Sequence, residues 1–169
     1  MPEKKTLERA RKDKRQGKSP STQAGEFVRE EMEHIRHGKH GASSTKQAIA
    51  IGLSKARRAG VKLPPPKRGR TSQKTRKSAQ RSSRQSHSRH NPNSRRSGAI
   101  SNVLKHEGHS AASPTSLAKQ AREQAAMRSS AERSDIAERA ARTRMAHQSH
   151  AERVRIARKA ARTRKAHSH

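Results

Sequence analysis

The chemistry that this chain offers is carried by cations. Its 169 residues hold 42 Lys and Arg against 13 Asp and Glu, a formal charge of +29. Three groups have residue types and spacing suited to phosphate oxygens. Lys46, Lys55, Arg57 and Arg58 form the first; Lys67, Arg68 and Arg70 the second; Arg155, Arg158, Lys159, Arg162 and Lys165 the third. Side chains of this kind neutralise phosphates and release condensed counterions, so binding follows salt more than sequence. They set position on a duplex without reading bases. DNA is the expected partner, with RNA possible. Phe27 is the sole aromatic, with no Trp or Tyr, which argues against modules that recognise RNA or single strands by base stacking.

Other chemistries find little footing. With no Cys, disulfides, thiolate zinc ligands and cysteine nucleophiles are excluded. No glycine loop suited to cradling phosphate and no nucleophile elbow is present. Eleven His residues invite a metal test. His34, His37 and His40, with Glu30 and Glu33, have spacings that share a helix face, and His87/His90 and His106/His109 repeat the pattern loosely. No further carboxylate or Cys stands at a diagnostic distance, and flanking basic residues oppose a cation. The expectation is therefore no metal, no cofactor, no small-molecule substrate and no enzymatic activity, with His adding charge below about pH 6.5.

Four regions must position these groups. Residues 1–20 read as a charged, flexible arm, ending at Gly17-Lys-Ser-Pro20. Residues 21–63 hold the densest set of large apolar side chains, nine of the chain's twenty Val, Ile, Leu, Met and Phe, and read as a helical hairpin. Ala24, Phe27, Val28, Met32 and Ile35 make one stripe, stopped by Gly38; Ala48, Ile49, Gly52, Leu53 and Ala56 make the second, begun by Ser44 with Gln47 and closed by Gly60. Gly52 on an apolar face costs about 1 kcal/mol relative to Ala, which points to a close approach of two backbones. An island this small usually needs a partner, and a second copy docking on the Phe27/Ile35/Leu53 face would supply one. Glu26, Glu30 and Glu33 form an acidic face that either points away, pairs with basic segments of the chain or meets another protein.

Residues 64–115 open with three prolines and contain no acid before Glu107. Low hydrophobicity and high charge predict a disordered basic linker there. Residues 116–169 form an Ala/Arg-rich helical tail with a tandem 20-residue repeat, in which 131–147 and 151–167 agree at 12 of 17 positions. Ser129/Glu132 and Ser149/Glu152 are capping boxes. The first copy has four basic and three acidic residues, the second seven and one. Repulsion along the second predicts a helix that gains order on phosphate. The expected class is mainly α with extensive disorder: a small antiparallel helical hairpin plus Ala/Arg-rich C-terminal helices, and no large core. No apolar run approaches the roughly 18 residues of a spanning helix, and the first residues lack a secretory h-region.

Two resemblances add to this. Pro66-Lys-Arg-Gly-Arg70 resembles the AT-hook, whose arginines enter the minor groove, although Thr71 stands where that motif has Pro. The segment from Glu26 to Gly41 and the block Lys46-Gln-Ala-Ile-Ala-Ile-Gly-Leu-Ser54 are similar to an uncharacterised family of small basic bacterial proteins, often labelled plasmid stabilisation or DNA-binding proteins. That resemblance spans about residues 18–67 and implies a bacterial cytoplasmic setting with nucleoid or plasmid association. The sequence thus predicts a non-enzymatic, largely sequence-independent DNA-binding protein. The alternatives are an adaptor whose hairpin binds a specific protein, and an RNA- or ribosome-associated basic protein.

Overall fold

A computed structural model describes residues 2–66, 68–69, 71–87 and 93–166, leaving aside the side chains of His87, His147 and Lys165. Every regular element among the described residues is helical. The α-helices are α1 (Lys4–Arg15), α2 (Pro20–Arg36), α3 (Thr45–Arg58), α4 (Gln73–Arg84), α5 (Ser94–His106), α6 (Pro114–Ala126), α7 (Ser130–His147) and α8 (His150–Ala166). Short 3-10 turns occupy Gln85–His87 and Ser110–Ala112. The chain divides into two units, Met1–Gln120 and Ala121–His169.

The first unit is built on α2 and α3. Ser19 caps α2 by accepting from the Thr22 amide, with Pro20 pre-set for the first turn. Ser44 caps α3 through the Gln47 amide, while the Gln47 side chain reaches back to the Ser43 amide and hydroxyl, both at 2.7 Å. Gly38 and Gly60 end the two helices at φ +70° and +89°. At each, the following amide returns to a carbonyl five residues earlier, Lys39 to His34 and Val61 to Ala56, the closure that glycine makes possible. The helices run antiparallel: Ala48 packs with Ile35, and Ala56 packs with Phe27. Gly52 sits where a Cβ would lie 2.7 Å from the Val28 Cα, so the close approach expected of it is real.

Two apolar clusters form around this pair. Ala10, Ala24, Phe27 and Ala56 make one, with Leu7, Leu53, Val61 and Leu63 against it. Met32, Ile35, Ala42, Ala48, Ala111 and Ala112 make the other, with Val28, Ile49 and Leu117. Among the described residues, eight of the eleven buried apolar ones are Ala. Phe27 and Ile35 are 1% and 0% exposed, so the face expected to recruit a second copy is covered by the chain's own α1, the 61–63 segment and the turn at Ala111–Ala112.

The expected extensive disorder is overturned. The arm forms α1 and packs on α2 through Leu7 and Ala10. The linker holds α4 and α5, and α4 buries Ala79 and Ser82, with Ser82 hydrogen-bonded to Ser54 of α3. Ile100, Val103 and Leu104 lie within the 13-residue α5. From the last turn of α5 onward the backbone docks by hydrogen bonds: the Gly41 amide donates to Leu104 O at 2.7 Å and the Ala42 amide to Gly108 O at 3.0 Å. Thr45 Oγ1 donates to Ala111 O and Arg36 Nε to Ala112 O. A hydrophobicity count underrates such packing, because alanine methyls and backbone amides do the holding.

In the second unit, both repeat copies are helices with closed capping boxes. Ser129 and Glu132 exchange bonds at the start of α7, and Ser149 and Glu152 do so before α8. Glu138 and Arg142 pair at 3.2 Å across one turn of α7, a contribution of about 0.2–0.5 kcal/mol. The final copy, expected as a helix that gains order on phosphate, forms α8. Ile136, Met145 and Ile156 are 43%, 60% and 50% exposed, so caps and the propensities of Ala and Arg hold these helices more than burial does.

Candidate functional site

The densest polar chemistry among the described residues lies on α2. Glu30 and Glu31 are adjacent, and both are 1% exposed. A buried carboxylate is costly unless paired and hydrogen-bonded, and the partners come from four places in the sequence. The Glu3 amide, at the start of α1, donates to both Glu30 oxygens at 3.3 Å. Lys55 of α3 places its ammonium against Glu31 Oε2 and 3.9 Å from Glu30 Oε1. His40, in the loop after α2, places Nε2 3.1 Å from Glu31 Oε1. His34, one turn along α2, places Nε2 2.9 Å from Glu3 Oε1 and 3.9 Å from Glu30 Oε1.

Glu3 completes the cluster from outside. Its carboxylate also takes Lys39 Nζ at 2.9 Å. Hydrogen bonds from Lys39 and then His34 hold its pKa down to about 2. The rings of His34 and His40 meet edge to face, 6.1 Å between centroids. Glu31, His34 and His40 each bring one potential ligand atom within 4.8 Å of the others.

This grouping differs from the one that helix spacing suggested. Glu33 turns outward and pairs with Arg29 at 3.0 Å, and His37 is the exposed C-cap of α2. Glu31 takes the place of Glu33 because it faces α3. His40 enters because the stop at Gly38 reverses the chain. The i, i+3 spacing of Glu31 and His34 was the available signal; the contribution of Lys55 and the return of His40 were visible only in three dimensions. Two carboxylates of the acidic face are taken up against other elements, since Glu26 pairs with Arg9 at 2.7 Å and Glu30 is buried as above, while Glu33 stays at the surface.

The predicted phosphate-binding residues separate into two kinds. Lys55 is committed to Glu30 and Glu31. Arg57 is 6% exposed and donates through Nη2 to Pro64 O at 3.2 Å, and burial pushes its pKa down. Both serve the fold. Lys46 in the first turn of α3, Arg58 at its end, and Arg68 beside Gly69 (φ +83°) are exposed. Lys67 and Arg70 lie outside the described residues, as does the side chain of Lys165. Arg155, Arg158, Lys159 and Arg162 are exposed on one face of α8, where with His150, Ala151 and Val154 they line an open depression.

A further basic row escaped the sequence reading. Lys74, Lys77, Arg81 and Arg84 recur at helical spacing on α4 and are exposed, opposite the buried Ala79 and Ser82. The signal was present as i, i+3, i+7 periodicity, but it was read as linker composition.

Residues 14–68 match a family of unknown function, DUF6496. This stretch takes in α2, α3 and the segment that leaves α3. No curated protein and no solved structure matches the chain. No helix among the described residues is long and apolar enough to cross a membrane.

Proposed function

We propose that the chain is a non-enzymatic nucleic-acid-binding protein that engages duplex DNA through phosphates with little sequence preference. The observation that carries this reading is an acid-free row of exposed cations on one helix face in each unit: Lys74, Lys77, Arg81 and Arg84 on α4, and Arg155, Arg158, Lys159 and Arg162 on α8. From Arg155 to Arg162 is about 10 Å of helix axis. A DNA duplex presents one phosphate charge per about 1.7 Å, so each row of four meets a comparable number of anions. The lack of aromatic side chains for stacking favours duplex over single strands. Association with a nucleoid or plasmid belongs to the same reading, since sequence-independent phosphate binding suits a protein that coats DNA.

The test is a salt titration of the full chain on random-sequence duplex DNA, with structured RNA of equal length as competitor. Replacing Arg155, Arg158, Lys159 and Arg162 together with Ala removes four phosphate contacts. The slope of log K against log salt should then become shallower by about 3.6, at about 0.9 per contact. An unchanged slope refutes the assignment of α8. Stronger competition by RNA moves the partner from DNA to RNA.

A further inference from the structure

Independently of nucleic-acid binding, the cluster on α2 poses a problem of protons. His40 Nδ1 lies 3.0 Å from the carbonyl oxygen of Gly41. A carbonyl only accepts, so Nδ1 must carry a hydrogen and donate it. In a neutral ring, Nε2 is then a bare lone pair, yet it faces Glu31 Oε1 at 3.1 Å. Two acceptors at that distance repel, and Glu31 is too buried to turn toward water. A proton or a metal ion must therefore lie between Nε2 and Glu31 Oε1.

A histidine that donates one ring N–H to a backbone carbonyl and presents the other nitrogen to a carboxylate has the arrangement of a metal-ligating imidazole, with its tautomer and orientation fixed by the outer bond. Here the third group is also in place. One ring nitrogen of His34 lies within 4.8 Å of the ligand atoms of Glu31 and His40. Two imidazoles and a carboxylate form a donor set suited to Zn2+, which takes such ligands at about 2.0–2.2 Å in tetrahedral geometry. Ligand atoms around such an ion lie about 3.3 Å apart, so the groups need only draw in by up to about 1.5 Å.

The neighbouring ammonium does not fill the same place. Lys55 lies on Glu31 Oε2, whereas His40 lies on Oε1, so an ion on Oε1 leaves Lys55 its own oxygen.

We propose that Glu31, His34 and His40 form a binding site for a first-row divalent metal ion of the Zn2+ type, with one coordination position left for water. The ion would fasten the loop after α2 to the helix itself. That loop carries the Gly41 and Ala42 amides on which the segment 104–108 docks, so the metal would stabilise this docking as well.

The experiment is calorimetric titration of ZnCl2 into the full chain after chelator treatment, at constant pH, with Co2+ absorption as a report on coordination. Thermal melts with Zn2+ and with excess chelator accompany it. Because the chain holds eleven His, the controls are His37→Gln and His106→Gln, both at exposed positions. One ion per chain, four-coordinate Co2+ bands and a chelator-reversible rise in melting temperature are expected. His34→Gln and His40→Gln should each weaken binding by more than about 100-fold, beyond the roughly 10–100-fold cost of losing an outer partner, while the controls bind as the parent does. Circular dichroism checks that each variant is folded, and either His variant carries the test if the other unfolds. The proposal is overturned if the parent chain binds no ion, if His40→Gln or His34→Gln, whichever is folded, binds as tightly as the parent, or if the controls lose as much affinity as these variants. Loss of metal binding without any change in DNA binding would leave the proposed function intact, so the two ideas fail separately.

Discussion

Substituting Gly52 with Ala should destabilise the first unit, while the same change at Gly25 should stabilise it. Both glycines lie inside helices, α3 and α2, where Ala is favoured over Gly by about 1 kcal/mol. A Cβ at Gly25 meets nothing within 4 Å, so the full gain should appear. A Cβ at Gly52 would lie 2.7 Å from Val28 Cα, 3.0 Å from Val28 N and 3.1 Å from Phe27 O. All three are backbone atoms, and no rotamer change can move them. Reaching an ordinary contact of 3.4 Å means separating α2 from α3 by about 0.7 Å, which loosens Phe27, Ile35, Ala48 and Ala56 together. Overpacking of this kind costs about 1–3 kcal/mol. Backbone against backbone belongs at the upper end, so the net loss after the helix gain is about 2 kcal/mol. Urea unfolding followed by circular dichroism should show the Gly25→Ala midpoint rising and the Gly52→Ala midpoint falling, about 3 kcal/mol apart, with similar slopes. A Gly52→Ala protein as stable as the parent would refute the close-packing argument.

Three other outcomes follow from the same geometry. Gly41→Ala would drive a Cβ to 1.9 Å from Glu107 O, so the segment 104–112 should undock; limited trypsin digestion should then cut at Lys105 much faster than in the parent. Arg57→Ala should lower stability by about 1.5–3 kcal/mol by removing a charged hydrogen bond from a buried guanidinium to the Pro64 carbonyl, with Arg58→Ala within about 0.5 kcal/mol; equal effects in denaturant melts would contradict the split between buried and exposed arginines. Glu152 has its pKa lowered from 4.5 by bonds from the Ser149 amide and hydroxyl. Its contribution to α8 is therefore complete above about pH 4.5 and is lost as pH falls through the lowered value. Ser149→Ala should shift the Glu152 titration back upward by NMR, and no shift would show that the capping box does not act on it.

Much of the architecture could be read from residue pattern because it rests on local rules. The stripes of α2 and α3, their Ser caps and their glycine stops appear in the sequence in the order in which the helices use them. The capping boxes of α7 and α8 are equally local. The disorder assigned to the linker failed for a physical reason: α4 docks through Ala79 and Ser82, and the segment after α5 docks through its backbone carbonyls, none of which registers as hydrophobicity. The covered face of Phe27 and Ile35 was hidden for the same reason, since Leu7, Ala10 and two alanines at 111–112 provide the lid.

The sequence by itself determined the charge, the helical class, the hairpin boundaries and the absence of cysteine chemistry, because composition, capping and glycine conformation act over a few residues. Tertiary structure alone decided which charges are spent and which are offered. Lys55 and Arg57 read as phosphate contacts in the chain, yet folding turns one toward buried carboxylates and the other toward Pro64. The row on α4 read as linker, yet folding seats one side of that helix and leaves the other to solvent. Glu31, His34 and His40 meet only because the chain reverses at Gly38, since a cluster of this kind depends on distances between elements that no periodicity records.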